Sequence, residues 1–421
     1  MSGAAGESQR PPPLAGVRVL DLSRVLAGPW AGQMLADLGA DVVKVERPGA
    51  GDDTRGWGPP WLKDDQGRDT TDAVYYLCAN RNKRSITIDV ARAEGQALVR
   101  DLAARADVLL ENFKAGGLAQ YGLDPTSLRA LNPRLVVCSI TGFGQTGPYA
   151  ARAGYDFLIQ GMGGLMSVTG RADGDDGAGP QKVGVALVDI LTGLYATIAV
   201  QAALAERARS GLGQHIDLAL LDVQVACLAN QAANYLAGGI VPKRMGNAHP
   251  NIVPYQDFPT ADGDMILAVG NDGQFGKFCA VAGHQEWAVD ERFATNAQRV
   301  AHRGVLIPLL RQATVMRTTA EWMAALEAAG VPCGPINRID DVFADPQVIA
   351  RGMRIELPHA TAGSVALVAN PIRLSDSPVG YRIPPPRLGE HGAEVLADWL
   401  GLDDAAIRAL APATGVAMLG G

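Results

Sequence analysis

A chain of 421 residues, 48% of them apolar and 19% charged, is too long for one ordinary core, so two or three domains are expected. Its formal charge of −7 argues against a general nucleic-acid or membrane-surface binder, and an anionic ligand then needs a local basic pocket. Five scattered cysteines without a C-x-x-C pair and six scattered histidines without H-E-x-x-H indicate a cytoplasmic protein with no disulfide framework and no metal site.

The opening stretch MSGAAGESQRPPPLAG lacks the apolar segment of a secretory signal, and a disordered tail is expected over 1–13. VRVLDLS is a short β-rich run, AGPWAGQMLADLG has helical spacing with a glycine stop, and ADVVKVERP is a second strand. The alternation recurs through RSITIDV, EGQALVRDLAARA, DVLLENF, TSLRALNP and RLVVCSI. It predicts an α/β fold whose large domain holds a mainly parallel sheet, with ligands at the carboxyl ends of the strands. RPGAGDD, ENFKAGG and TGFGQTGP all follow strands and are expected to form one site.

GFGQTG matches G-x-G-x-x-G after a strand. However, Pro148 follows the last glycine, and the loop GRADGDDGAGP stands where an acidic strand end should be, so a dinucleotide fingerprint is not expected. From Val183 to Ala205 nearly every residue is apolar or small, yet Asp189 sits among them. The run is long enough to raise a membrane span, but Asp189, Thr192 and Gln201 interrupt it, and a buried core helix is expected. Asp189 then falls in the first turn, where the N-terminal dipole and free N–H groups favour an ionised carboxylate. Such a group can act as a nucleophile; the plain alternative is a helix-start carboxylate with a buried partner.

Farther on, HIDLALLDVQVACLANQAANYLAGG reads as helical, GDMILAVG as a strand and TTAEWMAALEAAG as a helix, with EVLADWLG the last helix. The large domain is placed at 14–224 and a smaller α+β domain at 225–330. The glycine-rich GNDGQFG is expected as a flexible lid able to offer N–H groups to an oxyanion. Arg81, Lys83 and Arg84 in ANRNKRSI, with Arg47 and Lys114, either form a rim for a polyphosphate or are a solvated surface run. Phe113 and Tyr121 could stack on a purine there.

Taken together, these stretches resemble the class III CoA-transferase family, of the formyl-CoA transferase and carnitine CoA-transferase type. ERPGAGD, NKRSI, ENF, SITGFGQTGP, AGYD, the V-x-x-x-D-x-x-x-G around Asp189 and VPCGPIN occur in the family's order across nearly the whole chain. GDDTRGWGPP, QVACLANQAANYL, IVPYQDF and FADPQV further resemble its succinate–hydroxymethylglutarate (glutarate) CoA-transferases. The resemblance implies Asp189 as catalytic nucleophile, with Gly273 and Gln274 in the active-site loop as lid and oxyanion donors. It implies CoA contacts at Arg47, Ile88, Asn112, Phe113, Lys114, Gln120 and Tyr121. Relatives carry arginine at the Gln120 position, for which Arg81, Lys83 or Arg84 would compensate.

The resemblance also implies an interlocked homodimer with a Rossmann-like large domain built from both chain ends, so that 331–421 returns to it. No resident cofactor is implied, because the CoA thioesters are substrates. The implied reaction moves CoA between short dicarboxylic acids, succinyl-CoA to glutarate foremost, through an aspartyl anhydride and an aspartyl-CoA thioester. A dicarboxylate needs a cation at its far end, and Arg24, Arg55, Arg244 and His249 are candidates by charge and position; Tyr155 is expected on the substrate side. The rival is an α-methylacyl-CoA racemase, which resembles the same chain and uses a histidine in G-H-D. Here the triplet is Gly154-Tyr155-Asp156, and a phenol with a pKa of about 10 is a poor replacement in proton abstraction.

Overall fold

The four inner strands of the main sheet bury both faces, as their near-continuous apolar runs require. The computed structural model describes residues 10–418. Its first eight strands are β1 (Arg18–Asp21), β2 (Asp41–Glu46), β3 (Trp61–Lys63), β4 (Asp69–Ala73), β5 (Lys83–Thr87), β6 (Val108–Glu111), β7 (Val136–Thr141) and β8 (His215–Ala219). They are followed by β9 (Tyr255–Pro259), β10 (Asp264–Ala268), β11 (Cys333–Pro335), β12 (Arg354–His359) and β13 (Gly363–Val368). One six-stranded sheet runs β5-β2-β1-β6-β7-β8, with every pairing parallel. The chain builds outward from β1 in one direction and from β6 in the other. The order therefore reverses between β1 and β6, and their carboxyl ends flank a topological switch point.

A period of two sorts the strand residues between two cores. Leu20, Val43, Leu109 and Val137 enter one; their neighbours Val19, Val42, Val108 and Val136 enter the other. Helices Ala93–Ala103, Gly392–Leu400 and Asp404–Thr414 cover the first face. Helices Ala27–Asp37 and Leu187–Ser210 cover the second. Each aliphatic side chain so buried contributes about 1.5–3 kcal/mol. The 24-residue helix is long and apolar enough to cross a membrane by length and composition; in the fold Val188, Thr192, Ala196 and Val200 are buried. A Cβ on Gly193 would lie 2.7 Å from the Ala27 carbonyl oxygen and 3.0 Å from Trp30 Cβ. Glycine at this position, one turn after Asp189, lets the two helices close and so sets where Asp189 emerges.

Several expectations are revised. The segment HIDLA is a strand rather than the start of a helix: it pairs with β7 from Val137↔His215 to Thr141↔Ala219, and the helix begins at Leu220. Its alternating Ile216 and Leu218 satisfy the sheet edge before any helical period sets in. A further helix, Asp404–Thr414, follows the one expected to be last. Of the expected tail at 1–13, residues 1–9 lie outside the described residues. The remainder is tied down, with the Arg10 N–H donating to Asp376 O at 3.2 Å and the Ala15 N–H to Pro12 O at 3.0 Å.

The chain divides into two compact units. The larger takes in the chain up to Gly164, Gly184–Ala229 and everything from Gln347; the smaller takes in Leu165–Val183 and Asn230–Pro346. The smaller unit reaches past residue 330 because β11 pairs with β10, which pairs antiparallel with β9. Phe258, Met265, Phe275, Phe278 and Trp322 form its own core.

Candidate active site

The basic stretch ANRNKRSI faces inward. Lys83 is fully buried and donates to Asp21 Oδ2 at 3.0 Å, Pro29 O at 2.8 Å and Asn80 Oδ1 at 3.0 Å. Arg81 clasps Asp37, and Arg84 bonds Asp41, Glu394 and Asp398. These three side chains are spent on carboxylates, so Lys83 is not a CoA contact and none of them can compensate for Gln120. Arg55 is likewise removed from the substrate candidates. It is buried, donates to both oxygens of Glu46 at 2.7 and 2.8 Å, and lies 3.7 Å over the Tyr76 ring. Asp21, Asp37 and Glu46 are buried carboxylates, and such groups require cationic partners.

This network shapes the turn after β1. Lys44 joins Asp52 at 2.8 Å and donates to Ser23 O at 2.9 Å. Asp52 accepts the Val25 N–H at 3.2 and 3.3 Å. Burial would raise the Asp52 pKa, but Lys44 and the Thr54 hydrogen bonds overcome it and hold the group at about 2. From the other side Asn112 Oδ1 accepts the Arg24 N–H at 2.9 Å, and its Nδ2 donates to Arg24 O at 2.7 Å. Val25 is thereby held at φ 71°, a left-handed conformation rare for a β-branched residue.

Two clefts open at these strand ends. The first, of about 290 Å³, is walled by Arg24–Ala27 after β1, Asn112–Ala115 after β6, Ile140–Gly142 at the end of β7, Gly154, Tyr155 and Asp189. The second, of about 280 Å³, is walled by Leu22–Arg24, Glu46 and Arg47 after β2, Ile88–Ala91 after β5, and Phe113. Arg24 and Phe113 belong to both walls, so the clefts adjoin across the switch point.

Asp189 occupies the first turn of its helix, as expected, but it does not collect the free N–H groups there. Asp156 does: its Oδ2 accepts from Val188 N at 2.8 Å and Asp189 N at 3.4 Å, and Gln160 Nε2 holds its Oδ1 at 2.6 Å. Asp156 is brought there by a glycine contact, since a Cβ on Gly154 would lie 2.3 Å from the Gly142 Cα. Burial first, then the charge of Asp156, push the Asp189 carboxyl up to about 7. The helix terminus therefore does not keep Asp189 fully ionised. What results is a carboxyl group poised between acid and carboxylate near neutral pH.

The sequence pattern described as CoA-transferase family III matches residues 14–392. The chain belongs to that family. The succinate–glutarate CoA-transferase of Agrobacterium fabrum is 56% identical over 389 residues, spanning 92% of this chain and 96% of the relative. The Homo sapiens succinyl-CoA:glutarate CoA-transferase is 44% identical, spanning 94% and 88%. A solved CaiB/BaiF family protein from Brucella suis, 56% identical, superposes with a TM-score of 0.81 over 93% of this chain and all of its own.

Of the positions expected in the site of this CoA-transferase, Arg24, Asn112, Phe113, Lys114 and Tyr155 line the cleft that holds Asp189. Arg47 and Ile88 line the second. Gln120 and Tyr121 line neither: Gln120 is exposed and donates to Gly117 O at 3.0 Å, and Tyr121 packs on the sheet core. Gly273 and Gln274 belong to the smaller unit and are not a loose loop. They open the helix Asp272–Ala282, where Asn271 caps the Gln274 N–H and the Gln274 side chain accepts from Gly270 N at 2.7 Å.

In the same unit Arg244 is paired with Asp173. The His249 imidazole has its pKa lowered by burial and by Arg303, which makes it a poor cation for a carboxylate. Asp156 and Arg152 were missed as site residues. The first showed only as part of AGYD, and nothing in YAARAG marks the second. Among the described residues no group of three or more acidic, histidine or cysteine side chains could hold a metal.

Proposed function

We propose that this CoA-transferase moves CoA from succinyl-CoA to glutarate or a closely related short dicarboxylate, with Asp189 as the nucleophile. The observation that carries this is a carboxyl group tuned to about 7 in a cleft at the sheet's switch point, next to a second cleft walled by Arg47, Ile88 and Phe113. The substrate pair rests on the names of the relatives. CoA would lie with its nucleotide toward Arg47 and its thioester toward Asp189.

An Asp189 oxygen attacks the thioester carbonyl, the C–S bond breaks and the CoA thiolate leaves, giving an aspartyl–acyl anhydride. The thiolate returns to the aspartyl carbonyl, which releases the donor acid and leaves an aspartyl-CoA thioester. The acceptor carboxylate attacks that thioester and expels the thiolate again. The thiolate then takes the new acyl group and frees Asp189. Each step exchanges acyl bonds of similar reactivity, so the protein's task is to hold the thiolate, stabilise oxyanions and exclude water. The helix Ala27–Asp37 has no side-chain cap, and Ala27 at its start lines the cleft; Pro29 carries no N–H and the Trp30 N–H donates to Leu26 O at 2.7 Å, so the N–H groups of Ala27 and Gly28 are the ones offered to an oxyanion.

The resemblance also supports a cytoplasmic homodimer. Five free cysteines fit a reducing compartment, and exposed apolar side chains such as Ile198 and Leu236 fit a partner surface. Chromatographic detection of glutaryl-CoA from succinyl-CoA and glutarate tests the reading. Wild-type protein should form it and Asp189→Asn should not; wild-type protein inert toward short dicarboxylates would refute the substrate class.

A further inference from the structure

Two of the cations expected to read the far carboxylate, Arg24 and Arg55, lie in the larger unit, and both are paired with carboxylates. Arg24 reaches the cleft with its guanidinium 2.7 Å from Asp53, and Arg55 is buried against Glu46. Arg152 differs from both. It lines the cleft that holds Asp189, and among the described residues no carboxylate pairs with it. Its guanidinium carbon lies 4.6 Å from the Tyr149 ring centroid and 5.1 Å from that of Phe143. Those two rings meet edge to face at 5.5 Å. Its Nη2 also lies 3.8 Å from Met162 Sδ.

Two aromatic faces fix the plane of a guanidinium while leaving its N–H donors unspent. That is how a fork for an incoming carboxylate is prepared, because little side-chain freedom is left to lose on binding. We propose that Arg152 is the specificity residue of this enzyme, receiving the distal carboxylate of the dicarboxylic acyl group while Asp189 reacts at the proximal carbonyl. A monocarboxylic acyl group leaves Arg152 solvated and gains nothing from it. The inference rests on the proposed transfer between dicarboxylates.

The test compares wild type, Arg152→Met and Arg152→Lys with succinyl-CoA as donor and glutarate as acceptor, and with butyryl-CoA as donor and pentanoate as acceptor as the matched monocarboxylic pair. Arg152→Met should lower kcat/KM for the dicarboxylic pair by roughly 10- to 100-fold, the worth of one hydrogen-bonded charge. The loss should fall mainly on KM, the monocarboxylic pair should be unchanged or improved, and Arg152→Lys should recover part of the loss. Equal losses for both pairs, or none, would overturn the role of Arg152 while leaving the transferase reading intact. Wild-type protein that does not prefer the dicarboxylic pair would remove the reading on which the inference rests.

Discussion

In the proposed reaction Asp189 is the nucleophile, and its environment can be probed without substrate. Its pKa in the fold, about 7, is above that of an exposed carboxyl, so the folded chain holds a proton that the unfolded chain has already released. Stability from this group is complete below the ordinary carboxylate range and is lost as pH rises toward 7. Asp189→Asn mimics the protonated form. Thermal melts should show the variant gaining on wild type from pH 5 to pH 8, and a constant difference would remove the raised pKa. In wild type, kcat/KM should rise with pH through about 7 as the nucleophile ionises.

Lys83 and Arg47 make a contrasting pair at the same scale. Lys83→Met strands Asp21 and should cost about 3–5 kcal/mol of stability, whereas Arg47→Met should raise KM for acyl-CoA and leave the fold as stable as before. Sequence reading singled out Asp189 because a carboxylate inside an apolar run is conspicuous, and the fold places it in the wall of a cleft. It misassigned Lys83 because the partner that buries it, Asp21, lies 62 residues away in the chain.

At the scale of elements, two glycine contacts position the site. Gly193 closes the Asp189 helix onto helix Ala27–Asp37, and Gly154 against Gly142 carries Asp156 to the helix start. Gly193→Val should force the helix pair apart and cost about 1–3 kcal/mol, as overpacking does, with kcat falling far more than stability because Asp189 moves with its helix. Equal retention of kcat would show that helix spacing does not set the nucleophile. The alternation of strands and helices was legible because buried parallel strands are short apolar runs between amphipathic helices. β8 was not legible, since five residues with one alternation merge into the helix that follows. The start of helix Asp272–Ala282 was read as a loose loop because its glycines hid the Asn271 cap.

For the whole molecule, a net charge of −7 coexists with an anionic substrate because much of the basic charge near the clefts neutralises buried carboxylates, leaving Arg47, Lys114 and Arg152 at the surface of the site. Binding of acyl-CoA should weaken with ionic strength, but only modestly, since few exposed cations take part. The proposed interlocked homodimer rests on the family resemblance, because pairing between chains leaves no local signal in the periodicity; sedimentation at twice the chain mass would support it and sedimentation at the chain mass would refute it. In the proposed mechanism Asp189 is acylated during turnover. Purified protein incubated with succinyl-CoA, quenched with hydroxylamine and digested should show by mass spectrometry a hydroxamate on the peptide carrying Asp189, and its yield should fall when glutarate is added before the quench. An unmodified Asp189 under conditions that turn over substrate would contradict the account.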